Sequence, residues 1–211
     1  ALRWSPVEFL EYKYYDLGIK LREGPTASPV VVVAIDDNSI SALGRWPWPR
    51  SHIARMIDLL QGCGAKVIGL NILYSEKDTN QGLQAIRDIT GAIEAKPGLQ
   101  RNPAVADIYG TLKAAEKNLD HDAALSGAIG ASQHVVLPFF FVLGGPVLLD
   151  SAALDPVLAR NSVSFSDPPD LVTARELIPP VTEFSAAALA LGHINLVADS
   201  DGAQRRHSCL P

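Results

Sequence analysis

Three groups of residues carry the side chains with which this chain could do chemistry. Asp36 and Asp37 close the apolar run 30–35, Arg45-Trp46-Pro47-Trp48-Pro49-Arg50 follows shortly after, and Asn71, Glu76 and Asp78 lie on or just past a second apolar run, 66–73. Carboxylates gathered at the carboxyl ends of strands are hard oxygen ligands and could hold a divalent cation. Arginine forks pair with anions, and indole faces stack on rings or cations. The candidate ligand-contacting residues are therefore Asp36, Asp37, Arg45, Trp46, Trp48, Arg50, Asn71 and Glu76. The same residues also have a use without any ligand, with Arg50 clamping Asp36 in a bidentate pair and the tryptophans packed as a lid. If the strand persists through both aspartates they face opposite sides, so only one of them enters a given site.

Other reaction chemistries find less support. An apolar strand ending in aspartate invites comparison with magnesium-dependent phosphotransferases of the haloacid-dehalogenase type, but those need a second aspartate two residues on, where this chain has Asn38. A metal-dependent hydrolase built on Asp36 therefore stays only as an alternative. The histidines His52, His121, His134, His193 and His207 form no i, i+4 pair and none stands three or four residues from a cysteine, so no zinc site is signalled. Gly62-Cys63-Gly64 precedes a strand instead of following one, the wrong context for a dinucleotide loop. No G-x-S-x-G elbow and no phosphate-binding loop occurs. Asp199-Ser200-Asp201-Gly202 has half of a calcium loop but lacks the downstream glutamate, and Asp-Gly reads better as a tight hairpin turn. No catalytic residue, metal or cofactor is expected.

The elements that must position these residues follow from periodicity. Val7, Leu10, Tyr14, Leu17 and Leu21 recur at spacings of three and four, the seam of an amphipathic helix over about 5–23 that either lies on the domain or pairs with a second copy. Residues 30–35 are apolar throughout, as in a strand buried on both faces of a parallel sheet. Pro47 and Pro49 stiffen the tryptophan segment, and Pro49 keeps Trp48 out of helical geometry. Ser51 can then cap a helix with the stripe Ile53, Met56, Ile57 and Leu60, ended by Gly62 and Gly64. A strand over 66–73 completes a βαβ unit, whose crossover must be right-handed. Residues 79–132 read as mostly helical, with Asp120 as a cap and Pro97 and Pro103 marking a loop. A third core strand is expected over 134–142, a short helix over 184–191 and a hairpin from 194–197 to 203–210, while 144–180 shows no clear period. The expected fold is a single α/β domain with a mainly parallel central sheet flanked by helices, an N-terminal amphipathic helix and a C-terminal β-hairpin.

Composition limits the partners. An apolar content of 47%, 19% charged residues and a net charge of -5 describe a folded domain with no call for a nucleic-acid partner. The longest apolar stretch, 135–149, is broken by Pro138, Gly144, Gly145 and Pro146 and falls short of the roughly 20 residues of a membrane helix. Cys63 and Cys209 leave their pairing open. With no methionine at Ala1 and no signal-peptide pattern, the chain reads as an excised fragment or processed product.

Several of these pieces recur together in one family. The series is Tyr15-Asp16-Leu17 at the end of the first helix; Ile35-Asp36-Asp37-Asn38-Ser39-Ile40; Leu43-Gly44-Arg45-Trp46-Pro47-Trp48-Pro49-Arg50; residues 64–76; Gly192-His193-Ile194-Asn195; Asp199-Ser200-Asp201-Gly202; and Arg205-Arg206. It resembles the type-2 CHASE domain, the sensory domain associated with cyclases and histidine kinases outside the bacterial cytoplasmic membrane. The resemblance spans the chain and is least diagnostic over 79–132. It implies a non-enzymatic sensor, with residues 1–24 a membrane-proximal helix, 25–211 an α/β core, and membrane spans in flanking segments. A histidine kinase, a nucleotide cyclase or a diguanylate cyclase would then lie on the cytoplasmic side. The implied partner is a small-molecule or ionic signal of unknown identity, with a homodimer through the first helix as the structural alternative. Asn71 stands where members commonly carry an aspartate, which weakens a metal-binding role for the rim.

Overall fold

The first helix carries its apolar residues on one stripe, and no proline interrupts it after the first turn. In the computed structural model, which describes residues 5–21, 29–144, 161 and 174–196, it is α1, Ser5–Leu21. The chain divides into two compact units, Ala1–Trp46 and Pro47–Pro211. In the first unit the stripe residues Val7, Leu10, Tyr14, Leu17 and Leu21 remain 52–81% exposed.

The run after α1 departs from expectation. Residues 30–36 belong to no described ladder, and Val30 to Val33 are 57–84% exposed where a strand buried on both faces was expected. An apolar run supplies hydrophobicity but not its own pairing partner, so pattern alone overstated its burial. The run ends because Asp36 caps the next helix, α2, Asp37–Leu43. Its carboxylate accepts the Ser39 N–H at 2.8 Å and the Ser39 hydroxyl at 2.6 Å, an N-cap reinforced by one side chain. Asp37 already lies in the helix, so the two aspartates do not alternate along a strand. Gly44 ends α2 at φ 96°, which a side chain would strain, while its N–H returns to the Ile40 carbonyl.

In the second unit α3, Arg50–Gly62, buries Ile53, Ala54 and Ile57 against α7, His121–Ser132, which buries Leu125, Ala128 and Ile129. The expected stripe is thus the packed face, with Met56 and Leu60 at its half-buried edges. Strand β1 is only Ile68–Gly69, and residues 70–80 leave it as a loop. The helical stretch then resolves into α4 (Gln81–Glu94), α5 (Pro97–Gln100) and α6 (Pro103–Leu119), with α4 on α6. Pro97 and Pro103 start helices instead of marking a loop, since a proline's missing N–H is no loss in a first turn. Asp120 caps α7 as expected, accepting the Ala123 N–H at 2.9 Å.

The sheet is mixed, not mainly parallel. Its spine is β2, Val135–Leu143, which pairs parallel with β1 and with β4 (Ala190–His193) and antiparallel with β3 (Ala174–Ile178). The hydrogen bonds explain how a proline fits the spine. The His134 and Val136 carbonyls accept from Ile68 and Leu70, while the Val135 and Phe139 carbonyls accept from Leu189 and Ile194. Even-numbered residues of β2 therefore face β1, and odd-numbered ones face β4. Pro138 lies on the β1 side past the last β1 pair and before β3 joins at Phe140, where no donor is required. Beyond β4, the buried Asn195 side chain takes over the pairing: its Oδ1 accepts the Phe141 N–H at 2.7 Å and its Nδ2 donates to the Phe141 carbonyl at 2.6 Å. A short helix α8, Thr182–Ala187, precedes β4, so the helix expected over 184–191 is helical only through Ala187 and runs into β4 at Ala190. Both β3 and β4 add pairing that the pattern hid, and the antiparallel β3 is why the sheet is mixed. Most of the expected C-terminal hairpin, and Cys209, lie outside the described residues, while Cys63 is exposed. Among the described residues no helix is long and apolar enough to cross a membrane.

Candidate functional site

Of the eight candidate residues, Asp36, Asp37, Arg45 and Trp46 belong to the first unit and Trp48, Arg50, Asn71 and Glu76 to the second. Asp36 and Arg50 each meet their described partners inside their own unit. Asp36 is the cap of α2, and its bonds from the Ser39 hydroxyl and Ser39 N–H hold its carboxyl below the usual carboxylate value. A depressed carboxyl stabilises the fold above the unfolded value near 3.8, and that contribution is lost as pH falls through the lower folded value. A carboxyl-detected NMR titration should accordingly place the Asp36 midpoint below 3.8, and Ser39→Ala should move it back up. An unmoved midpoint in that variant would sink the capping account.

Asp37 and Arg45 are exposed, and Trp46 is half-buried. In the second unit Trp48 is half-buried with its ring 6.4 Å from His52, and Asn71 is exposed on the loop after β1. Arg50 is well embedded, with its side chain 14% exposed. Its position at the start of α3 lets the guanidinium reach two other elements. Nη1 pairs with Asp122 Oδ1 in the first turn of α7, and Nη2 donates to the Glu76 carbonyl, both at 2.5 Å. The guanidinium carbon sits 5.1 Å from the Tyr74 ring centre and 5.4 Å from that of Phe184, which are themselves edge-to-face at 5.8 Å. Asp122 is shared, because its Oδ2 accepts the Asp78 N–H at 2.9 Å.

This cluster ties the loop after β1 to α3, α7 and α8, at the carboxyl end of a parallel strand where ligands of α/β folds gather. Burial pushes the Tyr74 hydroxyl up to about 12, opposed by the Arg50 charge. The Tyr74 phenol stays neutral at physiological pH, a wall and not a base. Any anion approaching Arg50 competes with Asp122, a charge-assisted partner already in place.

Sequence reasoning found Arg50 and the loop through Glu76 but missed Tyr74, Asp122 and Phe184. Asp122 was visible only as an acid one residue beyond a capped helix start, and Tyr74 and Phe184 as ordinary core aromatics. Their meeting depends on α7 and α8 packing beside the loop, which no local pattern encodes. Among the described residues no group of three or more His, Cys, Asp and Glu side chains is placed to hold a metal ion.

A family model described as the CHASE2 domain matches residues 1–211, the whole chain. No curated protein and no solved structure matches it.

Proposed function

We propose that this chain, which belongs to the CHASE2 family of sensory domains of signalling receptors, is the extracytoplasmic signal-receiving part of a bacterial transmembrane receptor. The observation that carries this reading is the match of the family model over all 211 residues. The effector would be a histidine kinase, a nucleotide cyclase or a diguanylate cyclase across the membrane, and the chain itself would be sensory and not catalytic. Signal contact is assigned to the residues that the sequence singled out, of which Trp48, Arg50, Asn71 and Glu76 share one unit. A ligand can shift only states that it binds differently, so occupancy must favour one arrangement of the domain over another.

Reporter fusions to the full-length receptor test the placement. Alkaline phosphatase joined after Pro211 should be active and a fluorescent protein at the same point dark. The reverse pattern would place the domain in the cytoplasm and overturn the reading.

A second reading has its own observation. The exposed stripe Val7, Leu10, Tyr14, Leu17 and Leu21 on α1 suits self-association, making the domain a dimerisation module of the receptor. A concentration-dependent dimer that disappears in Leu10→Lys would favour it, and a monomer at all concentrations would remove it.

A further inference from the structure

Beyond the carboxyl end of β1, a cavity of about 450 Å3 opens between the loop carrying Lys77 and Asp78, the start of α4, the α6–α7 junction and α8. That is the volume range of small-molecule sites. None of the eight candidate residues lines it. Leu83, Leu119, Val181 and Phe184 give it an apolar wall, and charged side chains line the rest.

The charges decide what can enter. Lys77 Nζ is held by Glu183 at 2.7 Å, and Arg87 is held by Asp120 at 2.5 Å and Glu116 at 3.2 Å. Asp122 is taken by Arg50 and the Asp78 N–H. Both lining cations thus already have carboxylate partners, which weakens their pull on an entering anion. The Asp78 carboxylate is different: it lines the cavity and has no described side-chain or backbone partner. His121, also lining the cavity, has a buried Nδ1 with no hydrogen-bond partner among the described residues. That nitrogen is closed to solvent, so the ring presents its other atoms to the cavity and, among the described residues, Asp78 is the one unpaired carboxylate there.

We infer that this cavity binds a small organic ammonium ion, its charge at Asp78 and its hydrocarbon body on the wall of Leu83, Leu119 and Val181. Selectivity follows from the asymmetry between paired cations and one unpaired carboxylate. This goes beyond the proposed function, since it holds whether or not the tryptophan segment contacts a ligand.

The test uses a pair of probes alike in shape and opposite in charge, n-butylammonium and butyrate, titrated into the chain by calorimetry and by amide NMR. Butylammonium should bind saturably, shift the amides of Asp78, His121 and Val181, and give cross-relaxation from its methyl group to Leu83. Butyrate should do none of these. Asp78→Asn should weaken butylammonium by about tenfold, the scale of one charge-assisted hydrogen bond, with an otherwise unchanged amide spectrum. Trp48→Ala should leave the affinity unchanged, which separates this site from the proposed one. No saturable binding of butylammonium, equal binding of butyrate, or full affinity in Asp78→Asn overturns the inference.

Discussion

Arg50→Ala should lower the unfolding free energy by about 3 kcal/mol, at the low end for breaking a buried ion pair because Asp122 is 24% exposed. The substitution removes the partner of Asp122, a donor to the Glu76 carbonyl, and a cation flanked by the rings of Tyr74 and Phe184. It therefore releases four attachments at one point, between α3, α7, α8 and the loop after β1. Arg50→Lys keeps the charge but neither the planar face nor the two-armed reach, so about half of that loss should persist. Urea unfolding monitored by far-ultraviolet circular dichroism measures both. A double-mutant cycle with Asp122→Ala should return a coupling of about 1–2 kcal/mol, since the residues touch and share a network. A cost below about 0.5 kcal/mol for Arg50→Ala would mean that the cluster is a surface pair.

The contrast between Arg50 and residues 30–35 shows how far the sequence could be read. Most helices were legible because they carry their own evidence, as with the α3 stripe at Ile53 and Ile57, the Asp120 cap of α7, and the α1 seam, whereas the short α2 was not foreseen. The spine strand was legible because 135–143 is too apolar and too β-branched or aromatic to be anything else. Strand β3, with Arg175 and Glu176 exposed, has no apolar alternation to betray it, and β4 is four residues of which one is glycine. Both owe their pairing to β2. Sheet direction was misjudged because the apolar run of β2 pointed to parallel neighbours, which it has in β1 and β4, and gave no sign of the antiparallel β3. Trp46 and Trp48 drew attention by their rarity, whereas Asp122, which grips Arg50, looked like an ordinary acid near a helix start. Residue type reveals which groups can act, and only packing reveals which partner each one meets.

Phe184→Ala should cost about 3–5 kcal/mol, the largest effect of any single side chain considered. Phe184 is fully buried in α8, a helix of six residues that has little stability of its own and is held by what it packs against. Its ring meets the Tyr74 ring edge-on and lies beside the Arg50 guanidinium, so the truncation leaves a void next to a charge that depends on that ring for shielding. Water entering the void would weaken the Arg50 contacts as well, and the Phe184→Ala and Arg50→Ala losses should sum to less than additive in the double variant. Phe184→Leu preserves most of the volume and should cost under about 1.5 kcal/mol. Tyr74→Phe provides the opposite sign on the same contact. The Tyr74 hydroxyl is buried with no partner among the described residues, so deleting it removes a desolvation penalty and should leave stability unchanged or raised. Urea midpoints that fall in Phe184→Ala and hold or rise in Tyr74→Phe, with unchanged slopes, would fit an aromatic wall whose worth is packing. A large loss in Tyr74→Phe would instead mean that the hydroxyl has a partner, and that the cluster is held by a hydrogen bond as well as by its rings.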